Sequence, residues 1–170
     1  TTRMTTMVDS LISDAMADAL DITIRREPVD LAGLVKEVAA ANQPLAANKQ
    51  VITNYFYEQT VAGLGSALRY LSDDATWWVP GQWELSGTYT KAQLIAAIDQ
   101  LPYAGFLDFD IGEMTAESNR VSAVVRVRGK LKDGRRFDFW IHFLFTVKDG
   151  RIATVKEYVD SQYTRQLFFG

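Results

Sequence analysis

Three side chains could combine into acid–base chemistry: Glu157, Arg126 and Tyr55. Glu157 stands in the largely apolar stretch RIATVKEYVD, and Arg126 in SAVVRVRGK. A carboxyl group among apolar neighbours titrates above its usual range, and a nearby guanidinium pulls it back down. A carboxylate tuned in this way abstracts a proton or activates water. Arg126 would meet developing negative charge or bind an acid group, and Tyr55 would donate a hydrogen bond to a carbonyl. The same residues also read as a buried ion pair holding a sheet together, with Glu157 or Asp138 as the partner of Arg126.

Other chemistry is narrowed by composition. The chain has no cysteine and one histidine, His142, which excludes thiolate nucleophiles, disulfides and cysteine zinc sites and gives no two-histidine metal site. No organic cofactor is expected, because no glycine-rich phosphate loop precedes a helix; no metal site is assigned, with carboxylate-based magnesium binding left open. Acidic residues number 21 against 18 basic, a net charge of -3, so no basic stripe marks a nucleic-acid partner. No apolar run approaches the roughly 18 residues of a membrane span, and no basic-then-apolar leader is visible. The expectation is a cytoplasmic protein with a small-molecule ligand.

The elements that must position these groups are strands. Asp133-Gly134 and Asp149-Gly150 punctuate three long apolar runs as hairpins. Taking the first turn as a two-residue loop sets Arg128 opposite Phe139 and Arg126 opposite Ile141. One face then carries Arg126 with Phe139, Ile141, Phe143 and Phe145, and the other carries Asp138, Trp140 and His142. The second turn leaves two registers open. A three-residue loop puts Glu157 opposite Ile141 and beside Arg126, whereas a two-residue loop moves it to the face of His142. The expected pocket wall is Phe139, Ile141, Phe143 and Val159, with Trp78 from the strand TWWV and Tyr57 on a helix flank. His142 falls away from the pocket. Strands apolar on both faces need cover on the second one, which points to a homodimer.

Upstream of the hairpins, Ile52, Tyr55, Phe56 and Gln59 share one helix face, interrupted at Gly63 and Gly65. Thr90 caps a later helix, with Gln93 reaching back to it. Phe106 to Ile111 reads as a strand. Before these elements, Met4 to Leu20 reads as an amphipathic helix and DITIRR as a short strand. Asp30 caps a further helix that Pro44 ends or restarts.

The segment RMTTMVDSLISDAMADALDITIRREPVDLAGLVKEVAAANQPLAANKQ resembles the junction between the dimerisation helices and the ATPase domain of sensor histidine kinases. The family's phosphoacceptor histidine, asparagine-rich ATP box and glycine-rich lid have no counterpart in this sequence. The resemblance therefore implies helix packing, not kinase activity. The strings YFYEQTVAGLGSALRYLSDDATWWVPG, LSGTYTKAQLIAAI and FLFTVKDGRIATVKEYVD are similar to the SnoaL-like branch of the NTF2-like superfamily, over about residues 48–168. That resemblance implies an α+β fold: a cone of helices on a strongly curved, mostly antiparallel sheet around an apolar pocket. It divides the chain into a helical extension, 1–47, and a SnoaL-like domain, 48–170. The function it implies is binding of a small, mostly apolar molecule, with acid–base isomerase, cyclase or hydrolase activity. The alternative is ligand sensing or dimerisation linked to signalling. Residue by residue, the steroid isomerases' tyrosine falls on Tyr55, but their catalytic aspartate falls on Val79. The epoxide hydrolases' arginine falls on Val124, one aspartate on Arg126, and the other on Glu157. Both known constellations are thus incomplete, and Glu157 with Arg126 is left as a different pair.

Overall fold

The computed structural model describes residues 30–170. The stretch up to residue 29, where a helix and a short strand were expected, lies outside them. The chain divides into two compact units, 1–36 and 37–170. The elements run in the order α1 (Leu31–Ala67), a 3-10 turn (Leu68–Tyr70), β1 (Leu71–Val79), β2 (Gly87–Thr90), α2 (Lys91–Asp99), β3 (Asp108–Glu117), β4 (Arg120–Lys130), β5 (Arg136–Lys148), β6 (Arg151–Val159) and α3 (Ser161–Phe169).

Asp30 starts α1, its Oδ1 accepting from the Gly33 amide at 3.0 Å. Pro44 neither ends nor restarts the helix, contrary to expectation, but sits exposed within it. There water can take the carbonyl that its missing N–H leaves free. Ile52, Tyr55, Phe56 and Gln59 form the buried face of the helix. Tyr55 and Phe56 meet Phe143 and Phe145 of β5 through an edge-on and tilted aromatic cluster. The Thr90–Gln93 capping box opens α2 as expected. The expected strand from Phe106 begins only at Asp108, and Phe106 itself is exposed.

The six strands form one sheet in the order β2-β1-β6-β5-β4-β3. It is mixed, because β1 runs parallel to β6 while the other neighbours are antiparallel. The expected strongly curved, cone-forming sheet is corrected: the sheet is open and not strongly curved. Its longest ladder, β4–β5, runs through eleven consecutive pairs from Arg120↔Thr146 to Lys130↔Arg136 without a bulge. Bulges are where a strand bends, and here they are confined to β3–β4, β1–β6 and β5–β6.

Turn chemistry sets the faces. The first hairpin closes with three residues, not two: the Leu131 amide bonds the Arg135 carbonyl, and the Gly134 amide bonds the Leu131 carbonyl. Gly134, at φ 96°, supplies the left-handed bulge position. The one-residue difference pairs Arg126 with Trp140 and Arg128 with Asp138. Every β4 side chain is therefore flipped from the expected face. Val121, Ala123, Val125 and Val127 point inward with Phe137, Ile141, Phe143 and Phe145. The second hairpin is a two-residue turn, with Lys148 opposite Arg151, but a register shift follows between Thr146 and Val147. That bulge restores Glu157 to the inner face, opposite Phe143.

Candidate active site

Between the inner face of the sheet and the helices lies a cavity of about 180 Å³. Its walls are largely apolar, with Val79, Leu94, Val127 and Phe137 among them. Polar side chains reach it from several elements: Glu157 from β6, Tyr55 and Gln59 from α1, Tyr89 from β2, Tyr103 from the segment between α2 and β3, and Thr164 from α3. Trp77 of β1 also lines it. Its indole Nε1 donates to Glu157 Oε2 at 2.7 Å, across the parallel β1–β6 pairing that sets Trp77 beside Val155.

Glu157 is intermediate in solvent exposure because the cavity reaches it, yet protein encloses it on the other sides. Burial pushes its carboxyl group up to about 7, with the Trp77 hydrogen bond pulling the other way. The phenol of Tyr55 is raised by burial and then by the charge of Glu157, so it remains a proton donor. Its hydroxyl has no hydrogen-bond partner. A carboxyl group poised near neutrality, beside a free O–H in an apolar cavity, can exchange a proton with a bound molecule while the O–H holds that molecule's oxygen.

Phe139, Ile141, Phe143 and Val159 line the cavity together with Tyr55 and Glu157. Arg126 does not join them. It lies on the outer face, where its Nε donates to Asp138 Oδ1 at 2.7 Å and its guanidinium sits 5.9 Å from the Trp140 ring. The expected Glu157–Arg126 pair is thus replaced by Glu157–Trp77, a consequence of the three-residue loop. Tyr57 is 66% exposed, one helix position off the buried face. Trp78 also lies on the outer face, edge-on to Tyr158 at 5.7 Å. The sequence carried the signal that separates the two tryptophans: Ala75, Trp77 and Val79 alternate with Asp74, Thr76 and Trp78, so the polar pair marks the face of Trp78 as outward. Gln59 was visible on the helix face but not assigned to the site. It stands one turn beyond Tyr55. His142 is exposed on the outer face, 2.7 Å from Ser122 Oγ and stacked on Tyr158. The described residues hold no cluster of three or more histidines, cysteines or carboxylates suited to a metal. None of their helices is long and apolar enough to cross a membrane.

Solved structures share this fold. An NTF2-like protein of unknown function from Burkholderia pseudomallei superposes with a TM-score of 0.64 at 19% identity, over 73% of this chain and 98% of that one. A protein described as a candidate SnoaL-like polyketide cyclase from Jannaschia gives 0.63 at 16% identity, over 74% and 94%. TerC, co-crystallised with polyporic acid, gives 0.61 at 17% identity, over 71% and 97%. At these identities the likeness establishes the fold alone. No curated protein matches the sequence. The SnoaL-like domain family does match it, over residues 53–155. That span runs from the buried face of α1 to the middle of β6 and takes in most of the cavity, so this chain belongs to the SnoaL-like family.

Proposed function

We propose that the domain binds a small, mostly apolar carbonyl compound and moves a proton on it, with Glu157 as the acid–base and Tyr55 as hydrogen-bond donor to the carbonyl oxygen. One observation carries this reading: a buried carboxyl group, held through one oxygen by Trp77, faces an apolar cavity beside an unpaired phenol. The ionised carboxylate takes a proton from the carbon next to the carbonyl. The C–H electron pair moves into the new C=C bond, and negative charge collects on the oxygen that meets the Tyr55 O–H. In a β,γ-unsaturated ketone, return of that proton from Glu157 to the γ carbon, as the C=C electrons shift, completes an isomerisation; in a diketone, attack of the enolate carbon on the second carbonyl leaves an alkoxide that takes the proton from Glu157 and completes a ring closure. Donors aimed at developing charge in a dry site are the effective kind. A protein described as a candidate polyketide cyclase and one crystallised with polyporic acid, both on this fold, support a small organic ligand.

The test uses phenylacetone, a one-ring ketone with activated α-protons, in deuterated buffer near neutrality, with exchange followed by NMR. The wild-type protein should speed deuterium uptake over buffer. Glu157→Gln should remove that acceleration, and Tyr55→Phe should slow it by about 10²-fold, the scale of losing one oxyanion donor. A Glu157→Gln protein as fast as wild type would sink the reading.

A second reading, binding without turnover in a cytoplasmic sensing module, is favoured by one observation: Val79, where the steroid isomerases carry their aspartate, lines the cavity. The kinase-like N-terminal stretch would be its link to signalling. In either reading the outer sheet face pairs two copies of the chain. It mixes the exposed aromatics Trp140 and Tyr158 with charges of both signs, so a copy turned by a two-fold axis can set arginine against aspartate.

A further inference from the structure

We infer that the cavity is built for a one-ring compound with two oxygens in a 1,3 relation along one edge, a carbonyl and a hydroxyl, and that Gln59 is the specificity-determining residue reading the second oxygen. The inference rests on the reading of Glu157 and Tyr55 as the polar end of the ligand site and goes beyond it in ligand size and pattern. A volume of about 180 Å³ is little more than the roughly 150 Å³ of an apolar cavity that holds benzene. One ring with short substituents fills that volume.

The polar pattern narrows the class further. Only two polar residues in the described core are buried, Gln59 and Thr164. The Thr164 hydroxyl is spent on the Asp160 carbonyl at 2.8 Å. The Gln59 amide makes no hydrogen bond among the described residues, although the residue is only 8% exposed and lines the cavity. The amide is not among the buried polar atoms that lack a partner, so it is reached from the cavity and is available to an occupant. Tyr55 and Gln59 are four residues apart on α1, which puts their Cβ atoms about 5–6 Å apart on one face. Two oxygens in a 1,3 relation on a ring edge can span the two groups, and a lone carbonyl cannot. Tyr55 has a single O–H to give, so its mate is the carbonyl. The amide both donates and accepts, which suits a hydroxyl.

Four probes separate the terms: 3′-hydroxyacetophenone, acetophenone, 3-ethylphenol and ethylbenzene, each titrated calorimetrically into the full chain. Wild type should bind 3′-hydroxyacetophenone at least about tenfold more tightly than acetophenone, as expected when a buried polar group gains or lacks its partner. In Gln59→Leu that ratio should fall to about twofold or less, with acetophenone itself little changed. Gln59→Met, which keeps the unbranched chain and its packing, should give the same collapse. A ratio that survives both substitutions, equal binding of the first two probes by wild type, or no binding of any probe overturns the inference. It fails separately from the proposed function. Glu157-dependent deuterium exchange without Gln59-dependent discrimination rejects only the ligand pattern. Discrimination without Glu157-dependent exchange rejects only the chemistry.

Discussion

At the scale of single residues, the Glu157 carboxyl group ties function to stability. Its ordinary value of 4.5 is raised to about 7 in the fold, so the folded protein holds the proton more tightly than the unfolded chain does. That contribution is complete below pH 4.5, declines as pH rises, and is lost above about 7, where a carboxylate must stay buried. At ~1.4 kcal/mol per unit the loss reaches at most roughly 3 kcal/mol, and less where cavity water screens the charge. Glu157→Gln has no such titration. Its stability relative to wild type should therefore rise between pH 5 and pH 8, as measured by urea unfolding at the two values; an unchanged gap would contradict the burial of this charge. Tyr55 makes a second, opposite-signed case. Its hydroxyl is buried without a partner, and an unmet buried donor costs about 1–3 kcal/mol. Tyr55→Phe should then raise the unfolding temperature while it slows proton exchange. A lower unfolding temperature would mean that the hydroxyl is satisfied in solution by an ordered water.

At the scale of elements, the break in α1 reaches the cavity. Gly63 leaves the helix at φ 77°, and a Cβ there would stand 2.8 Å from Phe106 Cε1, itself part of the cavity lining. Gly63→Ala should cost about 1–3 kcal/mol from the backbone alone, because φ 77° with ψ 173° is a region essentially confined to glycine, and more from the clash. Adding Phe106→Ala should recover only the steric share, so a double-mutant cycle by thermal unfolding should show coupling with a residual penalty. Strict additivity would remove Phe106 from the account. The hairpins show what was legible in the sequence and what was not. Asp-Gly announces a turn but not its length, and the two Asp-Gly turns here differ: three loop residues around Gly134, two at Asp149-Gly150. Each one-residue change turns a whole strand over. Hence Phe139, Ile141 and Phe143 were readable as wall, because β5 alternates cleanly, while Arg126 was placed on the wrong face. The bulge between Thr146 and Val147 that returns Glu157 inward leaves no glycine or proline mark in the sequence. Gln59 was legible as a position, since the helical period of Ile52, Tyr55 and Phe56 includes it. Its role was not, because an amide on a buried face looks the same with a partner or without one.

At the scale of the molecule, the two sheet faces divide the work. The inner one makes the core and cavity. The outer one carries Trp140 at 52% and Tyr158 at 41% exposure, large aromatics that folding of one copy leaves in water. Beside them the Arg126–Asp138 and Arg128–Asp108 pairs lie flat along β3, β4 and β5. Such a face suits the centre of an isologous contact, where aromatics and arginine dominate the binding energy. Sedimentation equilibrium at micromolar concentration should therefore find a dimer. Trp140→Glu would set a carboxylate in the middle of that contact and should weaken association by at least about 10²-fold, the effect of losing a central aromatic anchor. Ring-probe binding should survive in the monomer, because Trp140 and the cavity lie on opposite faces of the sheet. A wild-type chain that stays monomeric at tens of micromolar would leave the aromatic face without a second copy to cover it. A Trp140→Glu chain that loses both dimer and ligand would mean that the two faces are coupled through the strands they share.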